Sequence, residues 1–367
     1  MEVKNMRFKT PKELVATRLK EAGFRRPKLL FHPKRGDIFN RIAYGLVKGK
    51  FGIFTEKEIG EELLPGCKVD ECYEIKLLAF MGDEKPDSAI VRGRKGIVNF
   101  SDIDFEYPLI AVDLSFYNKL LPREKKSLLN QIEITYGVVK DFFTPENFVL
   151  TSVSNEARKE LEKFFTPYIP FSILDKPEQK EIIVLDPYGD KDFTHEEITP
   201  QTLIIVGGIV DSGERMIGST KEIFPNVKHR KISYKGSIEL VPDRINDIVK
   251  IVCQYLTEDI SLSEAVRQNI TRTAKLKWLR KALEKNLVRF SLKGKILRGI
   301  PEKLYKQWKE EFELTDFHFK KGAKHIGGFF VFKSTLFEKV EGKILKRKKE
   351  IFLLKELKNE DVVKVYS

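Results

Sequence analysis

The chain has 367 residues, 41% of them hydrophobic and 33% charged, enough for two or three domains around full hydrophobic cores and too apolar for a disordered protein. The net charge of +13 and isoelectric point near 9.3 point to a polyanionic partner. No stretch approaches the roughly 20 apolar residues of a membrane span, and Met1 to Arg7 lacks the apolar core of a signal peptide, so the expectation is a cytoplasmic protein with no membrane partner. Cys67, Cys72 and Cys253 read as free thiols in a reducing compartment and form no metal-ligand pattern, so no metal is expected.

The charge is unevenly placed. Residues 1–100 carry a net +7, residues 101–265 a net −9 and residues 266–367 a net +15. An acidic middle between basic ends suggests that the ends hold an anion while the middle does something else. The domains are therefore placed at 1–95, 96–265 and 266–367.

In chain order, Pro11 to Ala22 predicts a helix, with Leu14, Val15 and Leu19 on one face. Phe24-Arg25-Arg26-Pro27-Lys28 and His32-Pro33-Lys34-Arg35-Gly36 read as loops mixing basic residues with aromatics or proline. Phe24 and Phe31 fit a base-stacking surface and a core position equally well. Tyr73 to Phe80 reads as a strand and Asp83 to Asp87 as a turn, giving a small basic α+β domain.

The middle alternates between strands and helices. Strands are predicted at Leu109–Val112, Phe148–Leu150, Glu181–Leu185, Leu203–Val206 and around Lys231-Ile232-Ser233. Helices are predicted at Pro122–Tyr136, Glu156–Phe165, Gly218–Phe224 and Pro242–Tyr255. That alternation means crossover units and a parallel sheet. The last hundred residues read as helices at Thr273–Asn286 and Pro301–Phe312, then strands at Phe317–Lys320, Gly327–Lys333 and Ile351–Leu357. The densest cationic run is Lys343 to Lys349.

Several chemistries fail on inspection. Gly218-Ser219-Thr220-Lys221 has the wrong order for a phosphate-binding loop, no G-x-G-x-x-G opens a helix, and the five histidines are scattered. Polar residues do stand at strand ends: Asp113, Thr151, Ser152, Asp186 and Asp211, with the loop Tyr234 to Pro242 beside them. Parallel strands point these ends at one crevice. Taken alone, Val206-Gly207-Gly208-Ile209-Val210-Asp211 reads more readily as a tight turn after a core strand than as a ligand-binding strand end.

Taken together, these segments resemble the family of tRNA methyltransferases that modify the N1 nitrogen of the purine at position 9, a branch of the SPOUT superfamily. The likeness runs through Val112-Asp113-Leu114-Ser115-Phe116, Leu128 to Gln131 with Tyr136-Gly137, and Val149-Leu150-Thr151-Ser152. It continues through Val206 to Asp211, Ile232-Ser233-Tyr234 and the helix from Pro242. It spans about residues 109–256; Asp190 to Thr199 and Ser212-Gly213-Glu214 look particular to this chain.

The resemblance implies an α/β SPOUT fold with a C-terminal trefoil knot, a monomer, tRNA as partner, and S-adenosylmethionine as methyl donor with S-adenosylhomocysteine as product. The implied cofactor residues are Thr151, Ser152, Gly207, Gly208, Ile209, Val210, Tyr234, Lys235, Gly236, Ser237, Leu240, Val241 and Pro242. Guanine N1 carries a proton at neutral pH and adenine N1 a free lone pair, so only guanine demands a base. The resemblance makes Asp211 the candidate for that role or for orienting the purine, with Asp113, Gln131 and Asp243 as supporting groups near the target base. Two alternatives stay open: a SPOUT enzyme acting at another RNA site, and a non-catalytic RNA-binding protein.

Overall fold

The computed structural model describes residues 7–174, 181–210, 218–292, 295–335, 344–347, 350–357 and 361–366. The chain forms two compact units, Met1–Lys235 with Asp243–Asn269, and Gly236–Pro242 with Ile270–Ser367.

The first unit contains two sheets. The N-terminal sheet has five strands, β1 (Pro27–Leu29), β2 (Phe51–Phe54), β3 (Gly66–Cys72), β4 (Ile75–Glu84) and β5 (Ser88–Arg92), in the order β2-β5-β1-β4-β3. Helices α1 (Pro11–Glu21) and α2 (Ile38–Val47) pack on each other and on β3. Val15, Leu19, Phe39, Ile42, Ile53, Ile75 and Ile90 fill the core. Thr10 and Pro11 start α1 as the sequence predicts, and Glu13 reaches back to the Thr10 N–H at 2.8 Å.

One expectation is overturned here. Pro27-Lys28, read as part of a basic loop, belongs to the central strand β1, and all three of its residues are buried. Pro27 is tolerated as a first strand residue. The Lys28 ammonium is satisfied inside, donating to the carbonyls of Leu64 at 2.6 Å and Pro65 at 2.9 Å. Phe24 and Phe31 are half-buried against the core.

The second sheet has seven strands, all parallel: β6 (Leu109–Asp113), β7 (Phe148–Thr151), β8 (Ser172–Leu174), β9 (Glu181–Leu185), β10 (Lys191–Asp192), β11 (Thr202–Gly207) and β12 (Lys228–Lys231). Their order is β10-β12-β9-β11-β6-β7-β8. The apolar runs Ile110–Val112 and Leu203–Ile205 are buried on both faces, as inner parallel strands require. Helices α4 (Pro122–Phe142), α5 (Asn155–Phe164), α6 (Ile245–Thr257) and α7 (Leu262–Asn269) complete this part, and α4 packs against α6. A short α3 (Glu56–Ile59) lies in the N-terminal part. The fifth predicted strand is shifted: β12 ends at Lys231, so Ile232 and Ser233 lie beyond it. The predicted helix at 218–224 is one 3-10 turn, Ser219–Glu222.

The N-terminal part is tied to the central part through α2. Asn40 donates to the carbonyls of Lys140 and Phe143 at the end of α4, at 2.9 and 3.0 Å, and Arg41 pairs with Asp141 at 2.9 Å. These bonds hold residues 1–95 and the parallel sheet in one unit.

The second unit is a six-stranded sheet, β13 (Val288–Leu292), β14 (Lys295–Pro301), β15 (Phe329–Phe332), β16 (Ile344–Arg347), β17 (Glu350–Leu357) and β18 (Val362–Tyr366), in the order β16-β17-β13-β14-β15-β18. It carries α8 (Arg272–Asn286), α9 (Glu302–Glu311) and α10 (Asp316–Ile326). The predicted strand Phe317–Lys320 is the first turn of α10. Thr315 at its N-terminus bonded to His318, and Gly327 in the left-handed conformation at its C-terminus, set a helix that the alternation of aromatic residues disguised. Of the cationic run, Lys343, Lys348 and Lys349 lie outside the described residues.

Candidate active site

The parallel sheet changes direction beside β6. From β6 the chain moves outward through β7 to β8, and then returns on the other side through β9, β11 and β12. A crevice opens at the carboxyl ends of the strands flanking such a switch point. Register places Asp113 of β6 opposite Thr151 of β7 on one side and Gly207 of β11 on the other. Three strand ends predicted from sequence therefore meet.

Asp113 is fully buried, and four donors satisfy its carboxylate. One oxygen accepts from the Ser115 N–H at 2.9 Å and from the Ser115 hydroxyl. The other accepts from the hydroxyls of Thr151 at 2.9 Å and Ser152 at 2.6 Å. A buried carboxylate persists only when paired or hydrogen-bonded in this way. Asp113 thus clamps β6 to the β7 end, and its oxygens are spent inside the protein. Ser152 adopts a φ of +55°, unusual for a residue with a Cβ, and the hydroxyl bond to Asp113 helps hold it there.

Gly208 completes the floor. Its N–H donates to the Asp113 carbonyl at 2.8 Å, and a Cβ added to it would stand 2.5 Å from that same oxygen. Only glycine lets the two main chains approach this closely. Gly207 has more room, since an added Cβ would meet first the tip of Ile223 at 3.1 Å. Ile209 is half-buried and Val210 buried. Asp211 to Ile217 lie outside the described residues.

Tyr234 is buried, and Lys235, exposed and at φ +49°, carries its ammonium 5.7 Å from the Tyr234 ring. The next residues, Gly236–Pro242, group with the second unit. Within that loop Gly236 has φ +75°, the Ser237 hydroxyl accepts from the Glu239 N–H at 3.2 Å, and the Val241 N–H donates to the Ile238 carbonyl at 3.3 Å. Leu240 and Pro242 are buried.

Gln131, named as a group near the substrate, is nearly buried on α4. Its amide oxygen accepts from the Ile245 N–H at 2.9 Å, and its amide nitrogen donates to Ser127 at 3.3 Å. It supplies an acceptor for the first turn of α6, so both polar ends are engaged within the fold. Asp243 is exposed, two residues before α6.

The structure also joins two residues that spacing did not. Asp186, just after β9, is buried and accepts from the Tyr188 N–H at 2.9 Å, and its second oxygen lies 3.3 Å from Nδ1 of His229 on β12. Their separation of 43 positions carries no sequence signal; only the pairing of β9 with β12 brings them together. Among the described residues no group of His, Cys, Asp and Glu is placed to hold a metal ion.

A family described as tRNA (guanine(9)-N(1))-methyltransferase TRM10/TRM10A matches residues 90–270, which hold the parallel sheet and its helices. Through that segment the chain is similar to this family. A tRNA (guanine(9)-/adenine(9)-N1)-methyltransferase of Thermococcus kodakarensis is 29% identical over 216 residues, which is 55% of this chain and 58% of the relative. A tRNA (adenine(9)-N1)-methyltransferase of Sulfolobus acidocaldarius is 29% identical over 213 residues, 56% of this chain and 68% of the relative. The match therefore spans a little under three-fifths of the first relative. The crystal structure of Sulfolobus acidocaldarius Trm10 in complex with S-adenosylhomocysteine covers 87% of this chain and 100% of its own, with a TM-score of 0.61 at 18% identity. The family fold is α/β of the SPOUT class, and in this chain the seven-stranded parallel sheet carries it.

Proposed function

We propose that this protein transfers a methyl group from S-adenosylmethionine to the N1 nitrogen of the purine at position 9 of tRNA. The observation that carries the reading is the meeting of Asp113, Thr151, Ser152 and Gly208 at the switch point of a parallel sheet, inside the segment matched by the family. The names of both relatives point to the same reaction. The crevice suits a zwitterionic cofactor. Its buried Asp113 carboxylate is engaged by hydrogen bonds within the protein, and Gly208 brings two main chains together at its edge.

Thr151, Ser152, Gly207, Gly208, Ile209, Val210, Tyr234 and Lys235 of the first unit are assigned to cofactor binding. The assignment of Gly236, Ser237, Leu240, Val241 and Pro242 rests on the family resemblance. When bound, the cofactor supplies an electrophilic methyl group. The protein must hold the purine edge in line with it and, for guanine, remove the N1 proton. Asp211 follows the glycine pair by three residues and is assigned that proton or the orientation of the edge. Asp113 and Gln131 act as positioning groups beneath the site, and Asp243, just before α6, is assigned as a supporting group near the target base. The knot and the division at residues 95 and 265 belong to this reading, as does a monomer working in the cytoplasm. Among the described residues no helix is long and apolar enough to cross a membrane.

The test uses unmodified tRNA transcripts with guanine or adenine at position 9, with primer extension to locate N1 methylation. Methylation at that position is the expected result, and methylation elsewhere identifies a SPOUT enzyme of another site. Absence of both methylation and S-adenosylmethionine binding by calorimetry leaves a non-catalytic RNA-binding protein. Asp211→Asn is expected to slow guanine methylation in single turnover by about 100-fold or more and adenine methylation much less. An unchanged guanine rate across pH 6–9 would remove Asp211 from the base role.

A further inference from the structure

The N-terminal sheet carries a built irregularity that the methyl-transfer site does not use. Strand β4 pairs with β3 at Cys67↔Ala79 and again at Gly66↔Glu84, so four residues of β4, Phe80 to Asp83, stand opposite no residue of β3. Bulges of this kind re-aim side chains. Phe80 sits at φ +59°, a conformation unfavourable for a residue with a Cβ. The consequence is exposure: Phe80 is 50% exposed and Met81 82% exposed. A residue in an unfavourable backbone conformation thus presents an aromatic ring to solvent.

The bulge is held in shape. A Cβ on Gly82 would lie 2.4 Å from the Cys67 nitrogen, so the loop closes only with glycine there, and the Cys67 thiol donates to the Met81 carbonyl at 3.0 Å. The neighbouring end of β1 meets it. Lys28 pairs with Leu78, which brings the exposed Leu30 and then His32 alongside, and the His32 ring lies 5.5 Å from that of Phe80 at a tilt of 42°. Phe80 leans on His32 and stays half exposed to solvent. On the far side of β1, the Arg92 guanidinium covers Phe31 at 4.3 Å, and Lys34 and Arg35 follow His32 after Pro33. The acid of the bulge is Asp83, and the next residue, Glu84, pairs with Lys76 at 2.9 Å.

We infer that Phe80, with Met81 and His32, forms a stacking platform for an unpaired nucleotide of the RNA substrate. An exposed aromatic on a basic domain is what sequence-tolerant single-stranded RNA sites use: the ring takes the π-face of a base and basic groups of the domain take its phosphates. The charge of this domain favours RNA over an apolar protein partner. This inference rests on the proposed tRNA substrate, and names a second point of contact away from the crevice.

The test compares the full-length wild type, Phe80→Gly and Phe80→Trp, with tRNA transcripts as probe. Glycine suits φ +59°, so Phe80→Gly removes the ring without strain, and its melting temperature is expected to stay within about 2 °C of wild type. Its tRNA Kd and KM are expected to rise about 5- to 20-fold with kcat within about twofold. Phe80→Trp is expected to keep wild-type affinity and to show emission quenched by tRNA beyond the change seen in wild type. If wild type binds and methylates tRNA while Phe80→Gly does so with unchanged Kd, the platform is overturned and the proposed function stands. A tryptophan at position 80 blind to bound tRNA would also overturn it. If wild type itself fails to bind tRNA, the proposed function falls and takes the platform with it.

Discussion

At the residue scale the crevice depends on a few atoms that cannot move. The Asp113 carbonyl accepts from Gly208 while its carboxylate accepts from Ser115, Thr151 and Ser152, so one residue fixes the ends of three strands. The two glycines differ in what they face, and their alanine variants should separate. In Gly208→Ala the new methyl meets backbone oxygen at 2.5 Å, which cannot yield without moving β6. A loss of about 1–3 kcal/mol is expected in urea unfolding, with S-adenosylmethionine binding weakened at least tenfold. Gly207→Ala meets a flexible isoleucine tip at 3.1 Å and should cost under about 1 kcal/mol. Equal losses from the two would mean that the approach of Gly208 to Asp113 is not what shapes the floor.

At the element scale, helix starts tie local sequence to long-range packing. Gln131 of α4 satisfies the first N–H of α6, and Asn40 of α2 satisfies carbonyls at the end of α4. Helix α1 is held by Glu13. Burial by itself would raise the pKa of this carboxyl. The N–H and hydroxyl of Thr10, the Tyr73 hydroxyl and the Arg7 guanidinium outweigh burial and hold it below the usual carboxylate range. A lowered native pKa means stability that is fully present above about pH 4.5 and lost as pH falls through the native value. Glu13→Gln should therefore cost stability at pH 7 and flatten the dependence of unfolding on pH below about 4.5. A variant whose acid unfolding parallels wild type would show that the Glu13 pKa does not differ between the folded and unfolded states.

At the scale of the whole molecule, the charge division gives a measurable expectation. With the proposed tRNA substrate, basic ends of +7 and +15 around an acidic middle of −9 give the expectation that the terminal parts hold it mainly through its phosphates. The Kd for tRNA should weaken at least tenfold between about 50 and 200 mM salt. S-adenosylmethionine binding, which neutralises no phosphates, should change less than twofold. A tRNA affinity indifferent to salt would contradict the division of labour.

The sequence alone determined which residues stand at the strand ends. Leu109–Val112, Phe148–Leu150, Glu181–Leu185 and Leu203–Val206 are continuous apolar runs, and burial on both faces of a parallel sheet leaves no other place for them. The crevice residues follow those runs directly, so Thr151 and Gly208 were legible. The tertiary structure decided matters set by partners distant in the chain. Lys28 is a core residue because two carbonyls 36 and 37 positions away receive it. Gln131 and Asp113 turn inward because donors stand in front of them, and Phe80 turns outward because a bulge forms where β3 and β4 lose register. Apolar runs report their burial locally through period and composition. A polar or strained residue takes its role from whichever hydrogen-bond partner the fold delivers, and its own neighbours in sequence hold no record of that partner.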